Sequence, residues 1–261
     1  MNLSRLNWIL IEQFGIDIKK IFKSIPRFIK YLSDIRKFKS LNYDIKIEYM
    51  PCIHDRYEES GSIGDEYFWQ DLYVAQEIFK SSPIKHVDVG SRLDGFVAHI
   101  SSFRFIEVLD IRPLSSIIPN VMFTQCDITQ MDSSFVNYSD SVSCLHTLEH
   151  FGLGRYGDKI DINAPYKGLS NLANILRENG VLYLSTPVGS EKIYFNAHRV
   201  FDIYSLLDVV KVNGLVLESL AYKIPREPFT KSDNLDEDLV KLHNVEYALA
   251  VLTLRKIYEN K

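Results

Sequence analysis

The sequence predicts an α/β protein: an open, mostly parallel sheet with helices on both faces and a terminal antiparallel strand, preceded by a helical extension. Three observations carry this. From Lys85 onward the runs KHVDVG, FIEVLDI, DSVSCL and GVLYLSTP are short and β-rich, and helical stretches separate most of them. Strands alternating with helices give a parallel sheet covered on both faces. Residues 215–224 and 244–257 are two further strand-like runs, joined by a Pro-rich, acidic connection without a helix of comparable length, which predicts an antiparallel pair at one edge. Ahead of the sheet, apolar residues recur every three or four positions among lysines and arginines. The 261 residues, 46% apolar and 25% charged, can supply a large core and exclude disordered, collagenous and disulfide-stapled classes.

The extension comes first in the chain. Ile18, Ile21, Phe22, Ile25, Phe28, Ile29 and Leu32 follow helical spacing, with Pro26 expected to divide the region and Ser24 to cap its second helix. Glu12 and Asp17 interrupt the apolar stretch, so it does not read as a signal peptide. No run approaches the roughly 20 apolar residues of a membrane span. Residues 1–41 carry nine Lys/Arg against three Asp/Glu, a charge of +6, and the remaining 21 against 31 give −10. The net −4 offers nucleic acid no general attraction. A basic amphipathic segment suits either peripheral contact with an anionic membrane or partner, or packing on the main domain. Residues 42–65 look irregular, and SGSIGDE (60–66) reads as a linker with a helix starting near Asp65. The expected domains are therefore 1–65 and 66–261. Three scattered cysteines without C-x-x-C spacing fit a reducing cytoplasm, at the inner face of the membrane if the extension docks there.

Residues 67–79 (YFWQDLYVAQEIF) have helical spacing and lead into the sheet. In an open α/β sheet ligands sit beyond the carboxyl ends of the strands, so the residues just after each strand carry the functional information. The first strand ends in Asp88, Val89, Gly90, Ser91, and Gly90 lets backbone approach a ligand closely. Twenty residues on, the second strand ends in Asp110 and Ile111, an acid placed for ribose hydroxyls. The third ends at Asp127 and Ile128, an acid placed for the exocyclic amine of a base. A dinucleotide is the competing ligand. Gly90 and Gly95 match the ends of G-x-G-x-x-G, but Arg92 occupies the middle, where backbone must approach pyrophosphate.

With these strand ends, and with the strings VDVGSRLDGFVAH, LHTLEHFGLGRYGD and FNAHRVF, the sequence resembles the class I S-adenosylmethionine-dependent methyltransferases over roughly residues 66–257. It looks most like a branch catalogued as a domain of unknown function and found among bacterial surface-polysaccharide genes. The resemblance implies a Rossmann-like sheet with a reversed final strand and S-adenosylmethionine as cofactor. It also implies a cofactor-binding set of Asp88, Gly90, Ser91, Asp110, Ile111, Asp127, Ile128 and His146. One departure stands out: the family's G-x-G-x-G turn has Arg92 and Asp94 at its second and third glycine positions, with Gly95 one residue further on.

After the fourth strand come His146, Thr147, Leu148, Glu149 and His150. H-x-x-E-H also occurs on long helices of zinc peptidases, but here it follows a strand directly and runs into Gly152 and Gly154, so no metal is expected. Methylating a neutral hydroxyl requires loss of its proton, which a histidine near its ordinary pKa can accept. His150 and His198 are the expected bases, with Glu149 orienting either one. Arg155, Tyr156, Asn196 and Arg199 are the expected acceptor-binding residues, the guanidinium forks suiting a carboxylate or phosphate. The polar loop 154–168, leading to a helix around Leu169–Leu176, lies where an acceptor would enter. The function these readings point to is methylation of an oxygen of a sugar or sugar-linked phosphate, on a small-molecule or glycan acceptor. The alternatives are a non-catalytic nucleotide-fold partner in a glycan assembly complex, or an NAD(P)-dependent oxidoreductase.

Overall fold

The computed structural model describes residues 3–41, 46–54 and 66–257. The chain separates into two compact units, Met1–Ser62 and Ile63–Lys261.

The first unit contains α1 (Leu3–Phe14) and α2 (Ile18–Lys39). Pro26 does not divide the helical region, contrary to expectation; it lies inside the 22-residue α2. The break falls instead at Gly15, whose φ of 67° is left-handed and whose amide closes α1 by donating to Ile11. Asp17 then caps α2 by accepting from the Lys20 amide at 2.9 Å. Ser24, expected as a cap, turns its hydroxyl back to the Lys20 carbonyl at 2.7 Å. Residues 46–54 run beside α2, where Arg27 donates to the His54 carbonyl at 3.2 Å. The predicted linker 60–66 lies outside the described residues except for Glu66.

The second unit opens with α3 (Glu66–Ser81), where a helix is predicted, and β1 (His86–Val89). A π-turn at Leu93–Val97 leads into the short α4 (Ala98–Ser101). Next come β2 (Ile106–Asp110), β3 (Val121–Gln125), β4 (Ser139–Leu145), α5 (Ala164–Ile175) and β5 (Leu176–Val188). The hairpin β6 (Lys192–Tyr194) and β7 (His198–Val200) precedes α6 (Ile203–Val212), β8 (Leu215–Lys223), β9 (Phe229–Lys231), α7 (Leu235–Asn244) and β10 (Ala248–Lys256). The main sheet has the order β3-β2-β1-β4-β5-β10-β8-β9. Its first five strands are parallel, whereas β10 runs antiparallel to both neighbours, β5 and β8. The predicted antiparallel pair is present, but β10 lies inside the sheet and the short β9 forms the edge.

Both faces are buried because each strand sends alternate side chains to opposite sides. Leu182 and Leu184 of β5 pack into the core with Leu169 and Leu172 of α5, while Tyr183 joins Val74 and Ile78 of α3 in the core of the other face. On β1, Val87 and Val89 enter the first core, and the intervening residues are polar. His86 lies within 2.8 Å of Ser141 Oγ and 3.1 Å of Ser143 Oγ. Burial, helped by Arg104, pushes its imidazole down to about 3, so it sits in the sheet uncharged.

Two helix expectations change. The connection after β8 contains α7, whose acidic residues Asp236, Glu237 and Asp238 occupy the first turn behind the Asn234 cap. Those charges face the positive end of the helix dipole, so the composition read as a loop is a helix start. Helix α5 begins at Ala164, with Pro165 in its first turn, which takes five residues from the predicted loop.

Candidate functional site

The carboxyl ends of β1, β2, β3 and β4 open onto one cavity of about 550 Å³, within the range of small-molecule sites. Gly90, Asp110, Ile111, Asp127, Ile128, His146, His150 and Tyr156 all lie on its wall. These eight residues span 67 positions of sequence, and the parallel order of the sheet brings them together.

The turn after β1 depends on glycine. Gly90 has φ 74°, donates to the Leu109 carbonyl at 2.9 Å, and an added Cβ would fall 2.3 Å from the Thr147 methyl. Asp88 and Ser91 support this turn from beneath rather than lining the cavity. Asp88 is fully buried and accepts from Ser143 Oγ (2.5 Å), Ser91 Oγ (2.6 Å) and the Ser91 amide (3.1 Å). Burial raises its carboxyl to about 6 against the pull of these donors. Arg92, at the second glycine position of the G-x-G-x-G turn that the sequence resembles, is unstrained: its φ is −70°, and its side chain reaches over the Tyr67 ring and pairs with Asp94. Gly95 does not stand in for the missing glycine. Its absent Cβ makes room for the Asp71 carboxylate, 2.4 Å from where that atom would be.

Asp110 faces the cavity with both oxygens held by Arg112, at 3.0 and 2.5 Å from the guanidinium and 2.8 Å from the Arg112 amide. Arg112 also lies over the Tyr156 ring. Asp127 caps its own 3₁₀ turn, accepting from the Thr129 amide and hydroxyl and from Gln130. It therefore shapes the turn that presents Ile128.

The string after β4 forms a buried charge cluster. His146, at φ 49°, is 2.7 Å from Glu149 through Nδ1 and 3.2 Å from Glu66 through Nε2, the second contact being misaligned for a hydrogen bond. Burial opposes its charge, yet the two carboxylates outweigh burial and hold the imidazolium up to about 10. Despite burial, His146 holds Glu149 below its ordinary value. Tyr247 donates to Glu66 at 2.7 Å, and the Tyr67 ring stacks on His146 at 4.5 Å. Glu149 has no exposed surface, so it does not meet an acceptor directly.

His150 is different. Its Nδ1 donates to the Ala197 carbonyl at 2.7 Å, which leaves the lone pair on Nε2. Burial lowers its pKa against the nearby Glu149 charge, so it is neutral at pH 7. Of the remaining expected bases and acceptor ligands, Tyr156 reaches the cavity wall, whereas His198, Arg155, Asn196 and Arg199 do not. His198 is half-buried on β7 beside the Tyr194 ring. Arg199 is buried and donates to the carbonyls of Phe151 (2.5 Å) and Glu149 (3.3 Å), which ties the 148–150 turn to the hairpin. Arg155 donates to the Ala197 carbonyl at 3.1 Å, and Asn196 is exposed at the hairpin turn. Backbone carbonyls were unreadable as partners in one dimension, and they claim both arginines.

Tyr67, Arg112, Thr147, Lys159 and Lys167 also line the cavity, and none was singled out from sequence. Arg112, two residues after the strand-end Asp110, carried a local signal, a donor positioned to turn back on the acid. Glu66 and Tyr247 carried none, because 181 residues separate them.

Residues 110–215 match the family described as Caenorhabditis protein of unknown function, DUF268. No curated protein matches the sequence. The structure is similar to the 1,6-didemethyltoxoflavin-N1-methyltransferase of Burkholderia thailandensis, solved with 1,6-didemethyltoxoflavin and S-adenosylhomocysteine. That likeness has 15% identity and a TM-score of 0.50, over 73% of this chain and 80% of that one. It is also similar to the [4+2]-cyclase SpnF at 12% identity and a TM-score of 0.50, over 72% of this chain and 81% of that one. The two neighbours are named for different reactions, so chemistry has to be argued from the site. The second unit has the Rossmann-like, mostly parallel fold of these enzymes, with its antiparallel strand placed among the terminal strands.

Proposed function

We propose that this chain is an S-adenosylmethionine-dependent methyltransferase acting on a hydroxyl oxygen of a sugar or sugar-linked phosphate. The observation that carries the reading is one cavity whose wall joins the Gly90 turn, the Asp110 carboxylate and a neutral His150 with its Nε2 lone pair available. The residues fit the cofactor. Gly90 brings its backbone to the cavity wall in a left-handed turn, Asp110 offers an acid for ribose hydroxyls, and Ile111 and Ile128 offer apolar wall for a base. When bound, S-adenosylmethionine supplies an electrophilic methyl group.

The chain's own part is positioning and proton transfer. Holding the reactants in line contributes up to about 7–11 kcal/mol, and a positioned base about 10²–10⁴-fold. His150 Nε2 would accept the hydroxyl proton as the acceptor oxygen takes the methyl group, the methyl–sulfur bond breaking in the same displacement and S-adenosylhomocysteine being the leaving group. Tyr156, its ring 5.5 Å from that of His150, provides an aromatic face, and Lys159 and Lys167, the latter paired with Asp161, provide cations, which suit a polyhydroxyl acceptor bearing an anion. The surface-polysaccharide setting rests on the resemblance of the sequence strings, and the mass of the host's surface glycan with and without the gene tests it.

Calorimetry tests the cofactor. The expected result is binding of S-adenosylmethionine and S-adenosylhomocysteine, weakened at least tenfold (about 1.4 kcal/mol) by Asp110→Ala. Binding of NAD(P) instead would establish the oxidoreductase, and no binding by a folded sample would favour the non-catalytic partner.

A further inference from the structure

The basic extension has a surface that the chemistry of the cavity does not use. On α2, Ile18, Ile21, Phe22, Ile25, Ile29 and Leu32 share one face, and no residue of the helix is buried. Phe22 is 70% exposed and Ile29 64%. The segment 46–54 covers this stripe only in part: Tyr49 and Pro51 meet the helix along Phe28 and Ile35, and Ile53 approaches Ile21, Ile25 and Ile29, which stay more than half exposed. The opposite face is strongly basic. Helix α2 carries eight Lys or Arg against Asp34 alone, and Asp34 is paired with Lys30 at 3.0 Å. At 1.5 Å per residue the helix is about 33 Å long, but it is far too polar to cross a bilayer. A long helix with one apolar face and a dense band of lysines matches the interfacial kind that lies in the plane of a membrane.

We propose that α2 docks flat on an anionic lipid bilayer, with Phe22, Ile25 and Ile29 entering the headgroup region and the lysine stems reaching outward to lipid phosphates. Charge selects this occupant over a second copy of the chain. Two copies meeting through α2 would bring together two strongly cationic helices, whereas an anionic leaflet attracts each juxtamembrane cation. Long lysine side chains can lie along the apolar face and still keep their ammonium groups at the polar boundary.

The test is sedimentation of the full chain with phosphatidylcholine vesicles, with and without phosphatidylglycerol. Binding is expected to the anionic vesicles and to fall with added salt. Phe22→Glu with Ile29→Glu should reduce binding at least about tenfold. Lys19→Gln, Lys20→Gln and Lys23→Gln together should do the same while leaving the apolar stripe intact. Circular dichroism of both variants separates lost docking from lost helix. Equal binding to neutral vesicles, undiminished binding by either helical variant, or no vesicle binding would overturn the proposal. So would a dimer in light scattering that Phe22→Glu dissociates and vesicles do not affect. None of these outcomes depends on whether the cavity binds S-adenosylmethionine.

Discussion

At the scale of single residues, the site turns on which nitrogen of each histidine is committed. His150 gives Nδ1 to the Ala197 carbonyl and keeps Nε2 for an acceptor. Burial places its pKa below the ordinary imidazole value, so the base we propose is unprotonated at pH 7 and would be lost by protonation in more acidic solution. Turnover should therefore fall on an acid limb lying below about pH 6.5. His150→Ala should lower it by about 10²–10⁴-fold while leaving S-adenosylhomocysteine affinity nearly intact, as initial rates and calorimetry would show. A pH profile unchanged by that substitution would remove His150 from the reaction. Arg112 competes for the Asp110 oxygens, but its guanidinium is 44% exposed, and ion pairs open to water are worth only ~0.2–1 kcal/mol. Arg112→Ala should therefore improve cofactor affinity by no more than about fivefold. Sequence placed Asp110 and His150 on the wall because strand ends are legible from apolar runs. The partners that hold Arg199 and Glu149 within the fold are not legible in the sequence: Arg199 donates to two carbonyls, and Glu149 lies 2.7 Å from His146 and 3.8 Å from His150.

At the scale of elements, the turns matter more than the strands they join. Gly90→Ala introduces left-handed strain of roughly 1–2 kcal/mol and places a methyl against Thr147. Ligand binding measured by calorimetry should drop at least tenfold. Adding Thr147→Ala removes the clashing atoms but not the backbone strain, so the double variant should recover part of the loss. Strands were legible because both faces of the sheet demand apolar residues. Helix ends were less so: Asp236, Glu237 and Asp238 look like a solvated loop until Asn234 is recognised as a cap. The division of the extension was placed at Pro26, the stronger helix breaker by propensity. The actual break needs only Gly15 to end one helix and Asp17 to start the next. An interior proline removes a single backbone hydrogen bond, which a long helix can tolerate.

At the scale of the whole molecule, the cluster of Glu66, His146, Glu149 and Tyr247 joins the start of α3, the turn after β4 and the approach to β10. His146 gains a proton affinity on folding that the unfolded chain lacks, its pKa rising from about 6.5 to about 10. That stabilisation is complete below pH 6.5 and is lost as pH rises toward 10. Thermal unfolding followed from pH 7 to 9.5 should show a declining midpoint. His146→Gln should flatten the decline and lower neutral-pH stability by about 3–5 kcal/mol, because it leaves the buried Glu149 and the partly buried Glu66 without their cation. An equally steep decline in the variant would assign the pH dependence elsewhere. The charge split between extension and sheet was visible as arithmetic, but the closure of this cluster across 181 residues could not be seen without the fold.

The position of β10 also sets an order of events during synthesis. It is made after β5 and β8, yet it lies between them and pairs with both. Until residue 256 is available, β5 and β8 each present a bare apolar edge, the kind of template on which nascent chains aggregate. The half of the sheet that carries β1 to β4 can assemble beforehand, so the cavity's framework precedes the strand that seals its neighbour. A ribosome stalled before that strand would hold β1 to β5, which pair without it, beside an open seam and without the Tyr247 contact to Glu66, a state that chaperones rather than ligands would have to protect.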